Sequence, residues 1–225
     1  IELYAIDRKT GRLFVTVPTL SASELRVYDL KTSELLSTQR MKDPIGCMDA
    51  DNGYLAYSYR GSLIITVCDA ETLQVLKKID MQDKILWPTQ QVEVGNLIVD
   101  GDAVICSNRG LVCKIWKYSI ASNDSKEIAL DDNSIFTIDR KNHRLAAVNT
   151  GSSRCSINFY DTVSGEHISG VRAGDFYNYD GMYFNGKTFM LRGIYYYPDG
   201  KTATFEEQAK RQEDENLSMV ACAYF

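Results

Sequence analysis

A strand, a tight turn, a second strand, a short loop, a third strand closed by an aromatic or cysteine plus an aspartate, and a fourth strand recur along this chain. No feature constrains its fold more, because a repeat of one supersecondary unit dictates what the neighbouring unit must cover. The second unit reads most clearly. Ile45 to Asp49 forms a first strand, Asp51-Asn52-Gly53 a turn, and Tyr54 to Tyr59 a second strand. Arg60-Gly61-Ser62 turns again, Leu63 to Cys68 is the third strand, Asp69 to Thr72 the next turn, and Leu73 to Ile79 the fourth strand. Asn-Gly tolerates positive φ, which a hairpin turn requires.

The first unit follows the same scheme through Leu3 to Ile6, Leu13 to Val17, Leu25 to Asp29 and Glu34 to Thr38. The fourth repeats it with Ile135 to Ile138, Leu145 to Asn149, Ser156 to Asp161 and His167 to Val171. The third is looser, with Val92 to Val99, Ala103 to Ser107, Val112 to Trp116 and Glu127 to Leu130. A fifth suggests a first strand at Phe176 to Phe184, one long second strand at Thr188 to Tyr197, and a further strand at Leu217 to Phe225. Expected boundaries are 1–40, 41–84, 85–131, 132–172 and 173–225, with an acidic insertion near 201–216 that reads as a solvated helix or loop, or as a docking loop.

The third strands end at Asp29, Asp69, Lys117 and Asp161, at spacings of 40, 48 and 44 residues. Four strands at that period are the signature of propeller blades. The closing dipeptides are Tyr28-Asp29, Cys68-Asp69, Trp116-Lys117 and Tyr160-Asp161, and in these the chain resembles the WD-repeat family, with the family's Gly-His pair absent. The expected fold class is all-β, a β-propeller of about five four-stranded antiparallel blades, either a whole ring or part of a larger or incomplete one. The chain opens at Ile1, within a strand-like run, which reads as a fragment, a processed form or the ordered part of something longer.

Composition agrees. There are 14 tyrosines and only 4 prolines, and tyrosine suits a half-buried pleated surface. A net charge of -5 is a poor basis for direct nucleic-acid binding, which rests on neutralising phosphates. The six cysteines, Cys47, Cys68, Cys106, Cys113, Cys155 and Cys222, form no CxxC pair, and five lie in apolar runs; they read as reduced buried thiols. No apolar run approaches the ~18 residues of a membrane span.

Chemistry-bearing motifs are weak. Gly181 to Thr188 fits G-x-x-x-x-G-K-[ST], but a phosphate loop needs a helix after it, and strand composition follows instead. Asp49 to Gly53 has its glycine misplaced for a calcium loop. His143 and His167 have no ligand-spaced partners. No catalytic residue, cofactor or metal is assigned. One constellation stands out: Arg60-Gly61 and Arg109-Gly110 occupy the loop after the second strand, and Arg154 lies in the corresponding loop of the fourth unit. Arginines so placed can take a carboxylate or phosphate through two parallel hydrogen bonds. The resemblance implies that these loops share one face, as in ubiquitin-ligase substrate receptors that take acidic or phosphorylated peptides.

The function these features favour is a non-catalytic protein-interaction scaffold, cytoplasmic or nuclear, bound to other subunits of a complex. A peptide receptor is the alternative, and a carbohydrate-binding or enzymatic propeller is less favoured.

Overall fold

The computed structural model describes residues 3–84, 93–109, 113–122, 124–130, 135–149, 155–174, 182–184, 188–191 and 194–197. The chain divides into two compact units, Ile1–Ser134 and Ile135–Phe225. The first holds three four-stranded antiparallel sheets, here called blades. Blade 1 runs β1 (Tyr4–Asp7), β2 (Arg12–Pro18), β3 (Ser23–Asp29) and β4 (Leu35–Arg40). Blade 2 runs β5 (Ile45–Asp51), β6 (Tyr54–Tyr59), β7 (Ile64–Asp69) and β8 (Val75–Asp80), followed by a single 3-10 turn at Gln82–Lys84. Blade 3 runs β9 (Glu93–Asp100), β10 (Ala103–Arg109), β11 (Lys114–Ser119) and β12 (Ser125–Leu130). The second unit holds blade 4, with β13 (Ile135–Asp139), β14 (Arg144–Asn149), β15 (Cys155–Asp161) and β16 (His167–Gly174). It also holds a three-stranded sheet of β17 (Met182–Phe184), β18 (Phe189–Leu191) and β19 (Ile194–Tyr196).

Each sheet is a meander in which every strand pairs with its sequence neighbours. The turn between the third and fourth strands explains why aspartate closes the third. Asp29 Oδ1 accepts the N–H groups of Lys31 and Thr32 at 2.9 and 2.8 Å, and Asp69 Oδ1 accepts those of Glu71 and Thr72 at 3.0 and 2.8 Å. Asp161 Oδ1 accepts those of Val163 and Ser164 at 2.9 and 2.7 Å. Four residues after each aspartate the backbone turns left-handed, at Ser33, Leu73 and Gly165. An aspartate side chain that imitates a turn carbonyl stabilises this geometry locally.

Two expectations change. The third strand of blade 3 ends two residues later than Trp116-Lys117. Tyr54 pairs with Asp69 and Ala103 pairs with Ser119, so Tyr118-Ser119 is the closing dipeptide. Ser119 Oγ accepts the Ser122 N–H at 3.1 Å, a serine version of the same turn. The expected long second strand of the fifth unit is two strands, since Phe189 pairs with Tyr196 and Leu191 with Ile194. The insertion near 201–216 and the expected strand from Leu217 lie outside the described residues.

Within the first unit the core lies between blades. Ala5, Phe14, Leu25 and Val27 of blade 1 pack on Met48, Ala50, Leu55, Tyr57 and Cys68 of blade 2. The opposite face of blade 2, with Ala56, Ile65, Val67 and Ile79, packs on Leu97, Val99, Val104, Cys106 and Tyr118 of blade 3. In the second unit, Ala146, Val148, Ile157 and Phe159 of blade 4 pack on Met182, Phe189 and Tyr196, with the Phe159 and Phe189 rings edge to face at 5.4 Å.

Polar latches accompany this packing. The first strand of each blade ends in aspartate: Asp7, Asp51, Asp100 and Asp139. The fully buried Asp7 accepts the Gly53 N–H of blade 2 at 3.1 Å, and also holds Thr10 Oγ1 at 2.7 Å. Asp51 accepts the Gly101 N–H of blade 3 at 3.1 Å, and Asp49 the Val99 N–H at 2.8 Å. Lys77 of β8 donates to carbonyl oxygens in the turn after β11, at 2.7 Å to Ser119 and also to Ser122.

Asp7→Ala removes a buried acceptor of three donors, and hydrogen bonds to charged groups contribute about 1.5–3 kcal/mol each at most sites. It is expected to lower stability by about 2 kcal/mol or more in urea denaturation, while Glu71→Ala, at an exposed turn position, changes it by less than about 0.5 kcal/mol. The Asp29, Asp69 and Asp161 carboxyls lie below the ordinary value of 3.8, chiefly because turn N–H groups bond the charged form. Their contribution is therefore complete above that value and is lost as pH falls through the lower folded-state values. Replacing all three by Asn, which keeps the acceptor, is expected to flatten the fall in thermal stability below about pH 4.

Candidate functional site

The ends of the second strands of blades 2 and 3 are built alike. Gly46 and Gly95 each form a bulge in the first strand, where the register with the second strand slips by one residue. Bulges re-aim neighbouring side chains and recur beside functional sites. Each bulge lies against one of the expected arginines. A Cβ on Gly46 would stand 3.3 Å from Arg60 Cα, and one on Gly95 would stand 3.1 Å from the Arg109 nitrogen. A side chain at either position would crowd the arginine backbone by a few tenths of an ångström.

Buried side chains lie beside these strand ends. The Ser58 hydroxyl lies 2.9 Å from the Ile64 carbonyl oxygen and 3.3 Å from that of Ser62. In blade 3, Asn108 Oδ1 accepts the Lys114 N–H at 3.0 Å. Arg60 donates its own N–H to the Pro44 carbonyl at 2.9 Å, and its side chain is exposed.

Glu93, at the start of β9, joins the turn after β6 to the end of β10. Its Oε2 accepts the Gly61 N–H of blade 2 at 2.8 Å, and its Oε1 accepts from Arg109 Nη1 of blade 3 at 3.1 Å. A carboxylate held by a backbone N–H and a guanidinium is the arrangement an acidic ligand would seek, and here the chain supplies that carboxylate itself. Glu93 was not among the sequence candidates. Its signal is positional, since it stands two residues before the bulge glycine and so faces the end of the second strand.

Arg154 lies outside the described residues. Splitting the fifth unit's long run into β18 and β19 puts Arg192-Gly193 between its second and third strands in sequence, the same place as Arg60-Gly61, which the expectation of one long strand had hidden.

The other motifs resolve into structure. In Gly181 to Thr188, Met182–Phe184 pairs antiparallel with Phe189–Leu191, so strand follows strand where a phosphate loop needs a helix. Asp49 and Asp51 spend their carboxylates on blade 3, and Asn52 and Gly53 make the turn with φ of 52° and 87°. His143 sits in a turn at φ 53°, and the His167 ring packs edge-on to Tyr160 at 5.4 Å. Cys47, Cys68, Cys106 and Cys113 are buried free thiols. Burial pushes the Cys47 thiol up to about 12 and Cys68 to about 11, which keeps them protonated and unreactive. Among the described residues, no three His, Cys, Asp or Glu side chains are grouped to hold a metal ion, and no helix is long and apolar enough to cross a membrane.

The sequence matches no family model and no curated protein. Solved structures do resemble it. Hydrazine synthase of Kuenenia stuttgartiensis aligns with a TM-score of 0.63 at 16% identity, over 85% of this chain and 54% of that one. KlAtg21 in complex with the coiled coil of AgAtg16 aligns at 0.63 and 15% identity, over 86% and 65%. The Cps50 (Swd1) β-propeller domain of Myceliophteria thermophila aligns at 0.61 and 11% identity, over 88% and 62%. The chain thus has the β-propeller fold and spans between about half and two thirds of the length of these chains.

Glu93→Ala removes both contacts of the bridge, whereas Glu93→Gln leaves an acceptor for Gly61. Amide exchange at Gly61 is therefore expected to accelerate at least tenfold in Glu93→Ala and much less in Glu93→Gln.

Proposed function

We propose that this chain is a non-catalytic protein-interaction scaffold, a WD-like propeller subunit of a larger assembly in the cytoplasm or nucleus. The observation that carries this reading is an exposed aliphatic at one bulged position of the fourth strands of blades 1, 2 and 4, whereas its counterpart in blade 3, Ile128, is buried. In blade 1, Tyr28 pairs with Leu35 and Val27 with Ser37, so Leu36 bulges out of the ladder. Leu76 does the same in blade 2 and Ile168 in blade 4. These three side chains are 44%, 49% and 40% exposed, and Leu35 and Val75 beside two of them are exposed as well.

A bulge on an edge strand blocks the addition of another strand, so the ladder is protected while the apolar side chain is offered. A solvated rim gains nothing from aliphatics at a fixed position, and burying one fully against a partner contributes about 1.5–3 kcal/mol. The complex of Atg21 with the Atg16 coiled coil supports a protein partner for a fold of this kind. The fold alone does not choose between scaffold and enzyme, since hydrazine synthase shares it. The rim favours the scaffold.

Affinity purification of the protein from its cells, compared with Leu36→Glu/Leu76→Glu, tests the reading. Partners recovered in stoichiometric amounts are expected with the native protein and lost with the variant, whose melting temperature stays unchanged. An identical set of proteins with both would contradict it.

A second reading rests on Glu93. Arg60 and Arg109 would receive an acidic or phosphorylated peptide, with Glu93 as the internal anion that such a peptide displaces. Fluorescence anisotropy with a phosphoserine peptide is then expected to show about tenfold tighter binding to Glu93→Gln, about 1.4 kcal/mol, and none to Arg60→Ala/Arg109→Ala. Equal affinity across the three proteins would sink this reading.

A further inference from the structure

The turns that join third strand to fourth in blades 1 to 4 are bonded alike. The closing residue donates its N–H five residues ahead: Asp29 to Glu34, Asp69 to Gln74 and Asp161 to Glu166 at 2.9 Å, and Ser119 to Asp124 at 3.0 Å. The next residue donates back to the residue just before the second strand or to its equivalent: Leu30 to Gly11, Ala70 to Gly53, Ile120 to Asp102 and Thr162 to His143. Ser119 therefore stands where the other three turns have an aspartate. Each aspartate accepts two turn N–H groups through one oxygen. The neutral Ser119 hydroxyl accepts that of Ser122 at 3.1 Å. Of these four turns, only that of blade 3 lacks the anion.

A cation stands against this turn. Lys77, on β8 of blade 2, donates to the carbonyl oxygens of Ser119 at 2.7 Å and Ile120 at 3.4 Å, and also to that of Ser122. Its ammonium is half-buried, faces neutral dipoles, and has no ion-pair partner among the described residues. The placement follows the missing carboxylate. Lys77 pairs with Val67, and the same position in blade 1 is Ser37, which pairs with Val27. A lysine of the preceding blade thus meets the turn without a carboxylate, and a neutral serine precedes the turn that has one at Asp69.

We infer that Ser119 is a phosphorylation site, and that its phosphate is received by the Lys77 ammonium and by the turn N–H groups of Ala121 and Ser122. A protein kinase supplies the group from a nucleoside triphosphate. Ser119 Oγ forms a bond to the γ-phosphorus, the bond from that phosphorus to its bridging oxygen breaks, and the nucleoside diphosphate leaves. The hydroxyl proton passes to the general base of the kinase. Phosphoserine carries a charge of about −1.5 to −2 at pH 7 and three acceptor oxygens. It restores the anion that aspartate gives the other turns, and it adds a charge-assisted bond between blades 2 and 3. The turn is open to an enzyme, since Ala121, Asp124, Ser125 and Lys126 are exposed and Ser119 and Ser122 are half-buried. Ser119 pairs with Ala103, at the opposite end of β10 from Arg109, and the site uses none of the rim aliphatics. It therefore stands or falls apart from the function proposed above.

Two measurements test it. Protein isolated from its own cells and cut after lysine yields peptide 118–126, which holds the serines Ser119, Ser122 and Ser125. Fragmentation mass spectrometry is expected to place a phosphate on Ser119. Recovery of this peptide only unmodified, or with phosphate only on Ser122 or Ser125, would overturn the inference. In the second, phosphoserine is installed at position 119 of the whole protein by amber suppression. The melting temperature is expected to rise by about 2–4 °C over the unmodified protein, and phosphoserine is expected to give no rise in the Lys77→Met background. A fall in melting temperature, or an equal rise with Lys77→Met, contradicts the assignment of Lys77 as the receiving group.

Discussion

A four-stranded sheet has two faces and cannot cover both by itself, so each blade must be recognised by the next. The apolar rows between blades supply the area, but area is non-directional and would tolerate a sheet that slid by two residues. The aspartates at the ends of β1 and β5 remove that freedom. Each reaches out of its own blade to a glycine N–H in the next blade's first turn, at 3.1 Å in both cases. A buried carboxylate left without its donors is costly, so a slipped packing is penalised where the correct one is satisfied.

The division of labour along each blade follows. Second and third strands are buried almost throughout, as in β6 and β7, while β4 is exposed along its whole length. An outer strand with a free ladder edge invites pairing with any extended chain. The bulges at Leu36, Leu76 and Ile168 interrupt that ladder and turn an aliphatic outward. At the other level of detail, the bulges at Gly46 and Gly95 bring Arg60 and Arg109 close to the first strands, and Glu93 ties Gly61 to Arg109. The same backbone irregularity thus serves protection at the rim and positioning at the loops.

Much of the blade was legible because its signals are local. Asp-x-x-Thr or Asp-x-x-Ser marks the turn at Asp29, Asp69 and Asp161, and alternation marks the strands. Blade 3 misled because Ser119 takes the place of aspartate, leaving Trp116-Lys117 as the more conspicuous pair two residues early. In the fifth unit, strand-forming residues from Phe189 to Tyr196 are interrupted only by Arg192-Gly193, and so a hairpin reads as one strand. Asp7 and Asp51 stand where turns use aspartate for local bonds, and their service to another blade, 46 and 50 residues away, has no local mark. Glu93 was hidden for the same reason, since its partner Gly61 lies 32 residues earlier.

In the first unit, carboxylates carry hydrogen bonds from blade to blade. Native-state amide exchange at Gly53, Val99 and Gly101 measures this most directly, since these N–H groups are the donors to Asp7, Asp49 and Asp51. Exchange as slow as that of the buried strand amides of Leu55 and Val104 is expected, released only when neighbouring blades separate. Exchange at Gly53 and Gly101 at the rate of an open hairpin turn, with the strand amides still protected, would contradict it.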